Sequence, residues 1–146
     1  MALTQVDPQQ AYELLQKVEG SVYIDVRTVE EFLNGHPQGA VNVPVAFPDP
    51  QRGMMLNEEF VKVVEAHFPK EKKIIVGCQA GPRSDAAARM LQEAGYQDVS
   101  SMQGGFGGMR DPSGRVIAEG WAGLGYTVSQ DNGDGVSYES LAAKIK

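Results

Sequence analysis

The sequence of 146 residues predicts an α/β domain with a mainly parallel sheet and helices on both faces. Two observations support this fold class. Short runs of β-branched residues alternate with amphipathic helical patterns, and the intervening segments are long enough for crossover connections. Strands joined by helices in this way form a parallel sheet between two helical layers. The length suits a single domain over residues 1–146, with a core at about 5–128 and a tail at 129–146.

Local signals place most of the predicted elements. Asp7 and Pro8 mark the start of a first helix, because aspartate caps helices and proline suits their first turn. Thr28 and Glu31 have the spacing of a capping box for a short second helix. The predicted strands share valine and isoleucine and cover residues 22–26, 40–44, 73–77 and 98–103. Two longer helices are predicted over 57–68, capped by Asn57, and over 84–95, capped by Ser84 or Asp85 and ended by Gly95.

Two regions show little periodicity. Residues 47–53 are rich in proline and glycine and are predicted to form a loop. Residues 104–135 contain many glycines, which predicts irregular structure with at most one short strand near 126–128. The last nine residues, YESLAAKIK, predict a short terminal helix in the tail.

Composition and charge argue against several classes of protein. A net charge of -6 argues against nucleic-acid partners, because phosphate binding needs clustered lysine and arginine. The N-terminus lacks the pattern of a signal peptide, and no apolar run approaches the ~18 residues of a membrane span. Cys78 is the only cysteine, so an intramolecular disulfide is impossible and we expect a reducing, cytoplasmic location. One cysteine and two distant histidines also argue against a metal site, and we expect no cofactor.

Cys78 is the candidate nucleophile, because it follows a predicted strand and precedes a predicted helix. Ligands of open α/β sheets bind at the carboxyl ends of the strands. A short loop that leads into a helix N-terminus turns backbone N–H groups toward an anion, and an electropositive, partly exposed setting of this kind favours the thiolate. Arg83 adds a permanent cation, and Gly81 allows close backbone approach. The alternative is that Cys78 is a small buried hydrophobic residue.

Three segments of the sequence carry motifs of a known family. Residues 78–84, CQAGPRS, fit the pattern C-x-x-G-x-R-[ST] and resemble the active-site loop of the rhodanese-like sulfurtransferases. Residues 23–44 resemble the family segment that begins D-V-R and continues through G-H-x-x-G-A. Residues 102–109 resemble a later signature in which Gly-Gly and an aromatic residue follow a strand. The similarity extends over roughly residues 5–128.

The resemblance implies a five-stranded, mostly parallel sheet and a transferase that moves sulfane sulfur. A donor such as thiosulfate would give sulfur to Cys78, and the persulfide would pass to cyanide in vitro or to a thiol in the cell. The implied partners are therefore small sulfur donors and thiol acceptors, including the cysteine of an acceptor protein. Asp25 and Arg27 match the family's D-x-R pair and either support the site or form a structural ion pair. The implied substrate-binding residues are those of the loop: Gln79, Ala80, Gly81, Pro82, Arg83 and Ser84, the last also as the helix cap.

Two departures from the family pattern concern the substrate. Glu31 stands where two-domain rhodaneses have a substrate-binding arginine, so we expect weaker affinity for thiosulfate. Residues 107–121 resemble an insertion that places Trp121 far downstream, and we expect this segment to cover one side of the pocket.

Two alternative functions remain open from the sequence. Cdc25-like phosphatases and arsenate reductases share this fold, but their loop has the pattern C-x5-R. Only four residues separate Cys78 from Arg83, and the smaller loop favours a terminal sulfur over a tetrahedral anion. A non-catalytic rhodanese-like binding or sulfur-carrier module is the second alternative. Such modules usually lose the cysteine, which this chain keeps with the whole loop.

Overall fold

The computed structural model describes residues 4–78 and 82–145, and a five-stranded parallel sheet forms its centre. In chain order the elements are β1 (Thr4–Val6), α1 (Pro8–Lys17), β2 (Val22–Asp25), α2 (Val29–Leu33), β3 (His36–Pro37), β4 (Val41–Asn42), β5 (Ala46–Asp49), β6 (Gly53–Leu56), α3 (Phe60–His67), β7 (Lys73–Gly77), α4 (Pro82–Glu93), β8 (Asp98–Met102), β9 (Met109–Arg110), β10 (Val116–Ala118), β11 (Val128–Ser129) and α5 (Tyr138–Ala142), followed by a 3-10 turn at Ala143–Ile145.

The central sheet has the strand order β1-β8-β7-β2-β4, and every neighbouring pair in it is parallel. This arrangement confirms the predicted α/β class. β1 was not predicted, because its three residues are too few to show a period of two. β7 and β2 lie inside the sheet, so their carboxyl ends meet at one edge.

Alternating residues of the central strands pack into two separate cores, one on each face of the sheet. Ile24 and Val76 belong to the core that contacts α3, α4 and α5. Tyr23 and Ile75, their chain neighbours, belong to the opposite core with α1 and Trp121. Burial on both faces explains why these strands are continuous apolar runs.

The predicted loop at residues 47–53 is wrong in part, because β5 and β6 form an antiparallel hairpin there. Pro48 pairs with Met54 inside this hairpin. The hairpin is a separate two-stranded sheet, in which both strands are edges, and proline is tolerated on an edge strand. The proline and glycine content of residues 47–53 therefore predicts the turn correctly, but it does not indicate the strands on either side of the turn.

Two predicted helix caps also need correction. α4 begins at Pro82, so Ser84 and Asp85 lie inside its first turn rather than at the cap. Proline favours the first helical position because its φ angle is already helical. α3 begins at Phe60, and the Asn57 side chain instead accepts the Glu59 N–H in the preceding turn. No helix in the described ranges is long and apolar enough to cross a membrane.

The C-terminal part is more regular than the glycine content predicts. β9 and β10 form a second hairpin, and β11, close to the one predicted strand, pairs with β3. The predicted terminal helix is confirmed as α5, and its Leu141 and Ala142 are buried in the core beside α3. The assignment of residues 1–146 to a single domain stays a prediction.

Candidate active site

Cys78 directly follows β7, at the carboxyl edge of the sheet. Its side chain is 1% exposed, so the thiol is buried rather than partly exposed. Its carbonyl oxygen accepts a hydrogen bond from the Phe106 N–H at 2.7 Å, which ties the later glycine-rich segment to this position. Gly77 is required before it, because a Cβ at Gly77 would lie 1.7 Å from the Tyr23 hydroxyl oxygen. The strand end is therefore held firmly from two sides.

The loop after Cys78 is described only in part. Gln79, Ala80 and Gly81, predicted to bind substrate, lie outside the described residues, and their roles stay predictions. Pro82 is the first residue of α4, which extends over twelve residues. A helix of this length carries partial positive charge at its N-terminus, four residues after Cys78.

Arg83 does not point a free cation at the site, because its guanidinium binds the carboxylate of Glu31. The two N···O distances are 2.7 and 3.0 Å, which is a bidentate contact. Both side chains are about 30% exposed, at 27% and 32%. The hydrogen bond from Arg83, assisted by the Thr28 N–H, lowers the pKa of Glu31 to about 2. The same contact raises the pKa of Arg83.

Asp25 and Arg27 form a second ion pair at the end of β2, and this one is almost completely buried. Arg27 donates to both Asp25 oxygens and to the Gly35 carbonyl, and its guanidinium lies 4.4 Å from the centre of the Phe106 ring. Asn42 donates from its amide to the backbone oxygens of Asp25 and Arg27. These contacts hold the strand end and Phe106 in place. The pair therefore has the contacts of a structural ion pair, and its supporting role at the site stays a prediction.

A pocket of about 400 Å³ opens between the two ion pairs. Its lining combines the Arg27 and Glu31 side chains with the aromatic ring that covers Arg27. The residues that line it are Arg27, Glu31, Asn34, Gly35, Phe106 and Gly107. Phe106 connects this pocket to Cys78 through its backbone N–H.

The predicted insertion contributes little to this pocket. Of residues 107–121 only Gly107 lines it, and the β9–β10 hairpin is mostly exposed. The base of the hairpin is closed by backbone hydrogen bonds from Trp121 to Gly105 and from Ala122 to Phe106. Gly120 fits there because a Cβ would lie 2.3 Å from the Gly108 nitrogen. The hairpin therefore extends away from a tightly packed base.

Sequence reasoning missed a set of buried hydroxyls beside the cysteine. Cys78 Sγ lies 3.7 Å from Ser84 Oγ, which contacts Ser101 Oγ at 2.9 Å. Ser101 in turn donates to the Asp85 carboxylate at 2.6 Å. The serine pair in the strand sequence DVSSM, at positions otherwise expected to be apolar, was the available signal.

The surroundings of Cys78 are typical of one class of protein. A cysteine at the carboxyl edge of a parallel sheet, followed by an arginine-bearing helix, is the arrangement of cysteine-dependent sulfur- and phosphate-transfer domains. No cluster of three potential metal ligands occurs in the described part of the chain.

Comparisons with known proteins identify the family. The model of the rhodanese-like domain matches residues 7–111. Thiosulfate sulfurtransferase 16 of Arabidopsis thaliana, a chloroplastic protein, is 44% identical over 96 residues, which are 66% of this chain and 78% of that protein. Thiosulfate sulfurtransferase GlpE of Haemophilus influenzae is 35% identical over 109 residues, 74% of this chain and 89% of that protein. The chain belongs to the rhodanese-like domain family, and it is a sulfurtransferase of the rhodanese type.

Two further comparisons set the extent of the similarity. The senescence-associated protein DIN1 of Raphanus sativus is 41% identical over 103 residues, and the match spans only 55% of its length. The crystal structure of Rv0390 from M. tuberculosis superposes with a TM-score of 0.74 at 28% identity. That match covers 90% of this chain and 100% of the other, so the described fold is shared over nearly its whole extent.

Proposed function

We propose that Cys78 accepts a sulfane sulfur from a small anionic donor such as thiosulfate and passes it to a thiol as a persulfide. The observation that carries this proposal is the position of Cys78 at the carboxyl end of β7, before the N-terminus of α4. Backbone N–H groups and the helix dipole at such a position favour a negative charge on sulfur. A buried thiol also keeps the reactive sulfur away from bulk water.

The reaction consists of two displacements at sulfur. The Cys78 thiolate attacks the outer sulfur of thiosulfate, a new S–S bond forms, and sulfite leaves with the electron pair of the broken S–S bond. An acceptor thiolate, or cyanide in vitro, then attacks the outer sulfur of the persulfide, and the Cys78 thiolate leaves. Covalent catalysis of this kind splits one transfer into two easier steps. The chain has no second cysteine, so the acceptor must come from outside.

The pocket between the two ion pairs is where we place the non-reacting part of the donor. Arg83 is a partly exposed cation that contacts Glu31 in the lining of this pocket, but its two N–H contacts to Glu31 compete with an oxyanion. This competition between Glu31 and the oxyanion is the physical reason that we propose for the weak affinity for thiosulfate. We propose Ser84 and the loop at 79–82 as further substrate contacts, and Asp25 with Arg27 as support for the strand end. A reducing compartment such as the cytoplasm suits the single free thiol.

Sulfur transfer can be measured directly. Purified protein with thiosulfate and cyanide should release thiocyanate, and Cys78→Ser should lose the activity completely. Intact mass after thiosulfate treatment should show an addition of ~32 Da that a reductant removes, as expected for a covalent intermediate. Ser113→Ala, in the exposed β9–β10 turn, is the control and should keep full activity. Release of thiocyanate by Cys78→Ser at the wild-type rate would reject the proposal.

The same protein should be offered the substrates of the alternative functions. Anion sites at helix N-termini do not by themselves distinguish one anion from another. Hydrolysis of an aryl phosphate or reduction of arsenate, without sulfur transfer from thiosulfate or mercaptopyruvate, would identify the phosphatase or reductase class. Persulfide formation that discharges only to a protein thiol would identify a sulfur carrier.

A further inference from the structure

A second pocket, of about 330 Å³, lies beside the N-terminal part of α4, and Arg83 forms part of its wall. Its other lining residues are apolar, and they are Val45, Ala46, Met54, Leu56 and Ala86. Sites for small molecules typically have volumes of roughly 300–1,000 Å³ and a mainly apolar lining with few polar groups. The size and the lining of this apolar pocket are therefore those of a site for a small organic molecule.

The apolar pocket borders the surroundings of Cys78 from two directions. Arg83 directly precedes Ser84, whose hydroxyl oxygen lies 3.7 Å from Cys78 Sγ. Val45 belongs to the same buried apolar cluster as Cys78, and the Val45 N–H donates to the Val26 carbonyl beyond the end of β2. A molecule in this pocket is therefore next to the residues that surround the reactive sulfur.

The β5–β6 hairpin supplies the outer wall of the apolar pocket with one of its two faces. Met54 and Leu56 line the pocket and are 47% and 59% exposed. Met55, between them, lies on the opposite face, because successive side chains of a strand alternate. Its cross-strand partner Phe47 has its ring 5.8 Å from that of Tyr138 in α5. The hairpin thus packs against the domain with one face and presents exposed apolar side chains to the pocket with the other, and exposed apolar surface of this kind marks a binding site.

The charge in the lining of the apolar pocket is balanced. Among the described residues that line it, Arg83 alone is charged, and Glu31 binds its guanidinium with two contacts. The pocket in which we place the donor instead contains the charged side chains of Arg27 and Glu31. An anion such as thiosulfate gains nothing from an apolar wall, whereas an uncharged apolar group is stabilised when it leaves water. The two pockets therefore suit two different substrates.

We propose that the apolar pocket binds the sulfur acceptor, and that this acceptor is a small organic thiol with an uncharged, apolar body. The inference rests on the proposed persulfide of Cys78 and specifies the second half of that reaction. The acceptor thiolate attacks the outer sulfur of the persulfide and a new S–S bond forms. The Cys78 thiolate leaves with the electron pair of the broken bond, and the product is the persulfide of the acceptor. Met54 and Leu56 determine specificity, because they contact the body of the acceptor.

A series of mercaptoalkanols tests the class of acceptor. Mercaptoethanol, mercaptopropanol, mercaptobutanol and mercaptohexanol have the same thiol and hydroxyl ends and differ only in the number of methylene groups. At saturating thiosulfate, sulfite release measures turnover, and kcat/KM for the acceptor should rise about two- to fourfold for each added methylene. Mercaptohexanoate, which has the same length as mercaptohexanol but a charged end, should be no better than the alcohol. A flat series, or a preference for the acid, would overturn the proposal.

Substitutions in β6 locate the effect of chain length. The double variant Met54→Ser and Leu56→Ser removes the apolar outer wall, so kcat/KM for mercaptohexanol should fall about tenfold while that for mercaptoethanol changes little. Ala86→Leu fills the pocket from α4 and should have the same effect. Met55→Ser, on the opposite face of β6, is the matched control and should keep the wild-type series. An equal loss in Met55→Ser would overturn the proposal.

Cyanide separates the acceptor site from the proposed function, because cyanide is too small to reach β6 from the persulfide. Thiocyanate release and the KM for thiosulfate should be the same in all these variants as in wild type. Absence of thiocyanate release from wild type would overturn the proposed function and this inference with it, whereas normal release with a flat alkanol series would overturn the acceptor site alone. A raised KM for thiosulfate in the double variant would place the donor in this pocket. A wild-type dimer that the double variant dissociates would show that a second copy covers the pocket, and either result would also overturn the proposal.

Discussion

Two carboxylate–arginine pairs lie at the same edge of the sheet, and they differ chiefly in burial. Asp25 and Arg27 are 1% and 3% exposed, whereas Glu31 and Arg83 are about 30% exposed. The first pair contacts the Gly35 carbonyl and the Phe106 ring, and in the second pair Glu31 lines a pocket. The buried pair is fixed and stabilises the strand end. The partly exposed pair can be broken at small cost, so it is the one that can adjust to a ligand.

The largest effect that tests this difference is expected from Asp25→Asn, and it is a loss in the free energy of unfolding. Arg27 would stay buried without its carboxylate, and breaking a buried pair from one side costs about 3–5 kcal/mol. Urea unfolding should show this loss in the free energy of unfolding. Asp98→Asn breaks the exposed pair with Lys73 and should cost at most about 1 kcal/mol. Equal losses in Asp25→Asn and Asp98→Asn would show that burial does not determine how much an ion pair of this protein contributes to stability.

A smaller effect is expected from Glu31→Gln, and it concerns substrate binding. The change releases Arg83 from a charged partner, so the KM for thiosulfate should fall by roughly three- to tenfold, about 1 kcal/mol of binding free energy. Steady-state thiocyanate release measures it. Glu30→Gln changes the same charge on the exposed neighbour in α2 and should leave the KM as it is. A KM that rises in Glu31→Gln would contradict the proposed competition for Arg83.

The smallest expected effect is the contribution of Glu31 to acid stability. Its pKa is lowered from 4.5 to about 2, so the folded state binds this proton less readily than the unfolded state does. The contribution is complete above about pH 5 and is lost as pH falls toward 2. Its size is on the order of 1 kcal/mol or less, because solvent screens a partly exposed pair.

Unfolding of wild type and Glu31→Gln should be compared by urea titration between pH 2 and pH 7. The difference between their free energies of unfolding should shrink as the pH is lowered, and most of the change should lie below pH 4.5. A difference that stays constant over this range would show that the ion pair is not its source.

Features encoded over a few residues could be predicted from the sequence, and features that join distant segments could not. The helix start at Asp7-Pro8 and the capping box at Thr28 were predicted because the residues that form each signal lie within three positions of one another. β7 and Cys78 were placed because the strand is a continuous apolar run with the loop motif behind it. The contact between Glu31 and Arg83 spans 52 positions, and no local pattern indicates it.

The sequence predicts only part of the consequence of Glu31. From the sequence, a missing arginine predicted weaker binding of an anion. The structure adds that Glu31 also binds Arg83. Compared with the two-domain rhodaneses, the site therefore lacks one arginine, and the arginine that it keeps is paired with a carboxylate. The link from Ser84 to Ser101 was missed for a related reason, because Ser101 becomes a neighbour of α4 only when β8 lies beside β7.

Because the base of the β9–β10 hairpin is closed by backbone hydrogen bonds, the length of the hairpin does not change the geometry around Cys78. Phe106, whose N–H holds the Cys78 carbonyl, lies on the inner side of that base, and the hairpin lies beyond it. Lengthening a loop costs only about 0.6 kcal/mol for each doubling of its length. Residues 111–115 are thus a point where a peptide tag or a fluorescent reporter can be inserted without displacing the reactive sulfur. A domain of this family can in the same way acquire new surface segments while its chemistry stays unchanged.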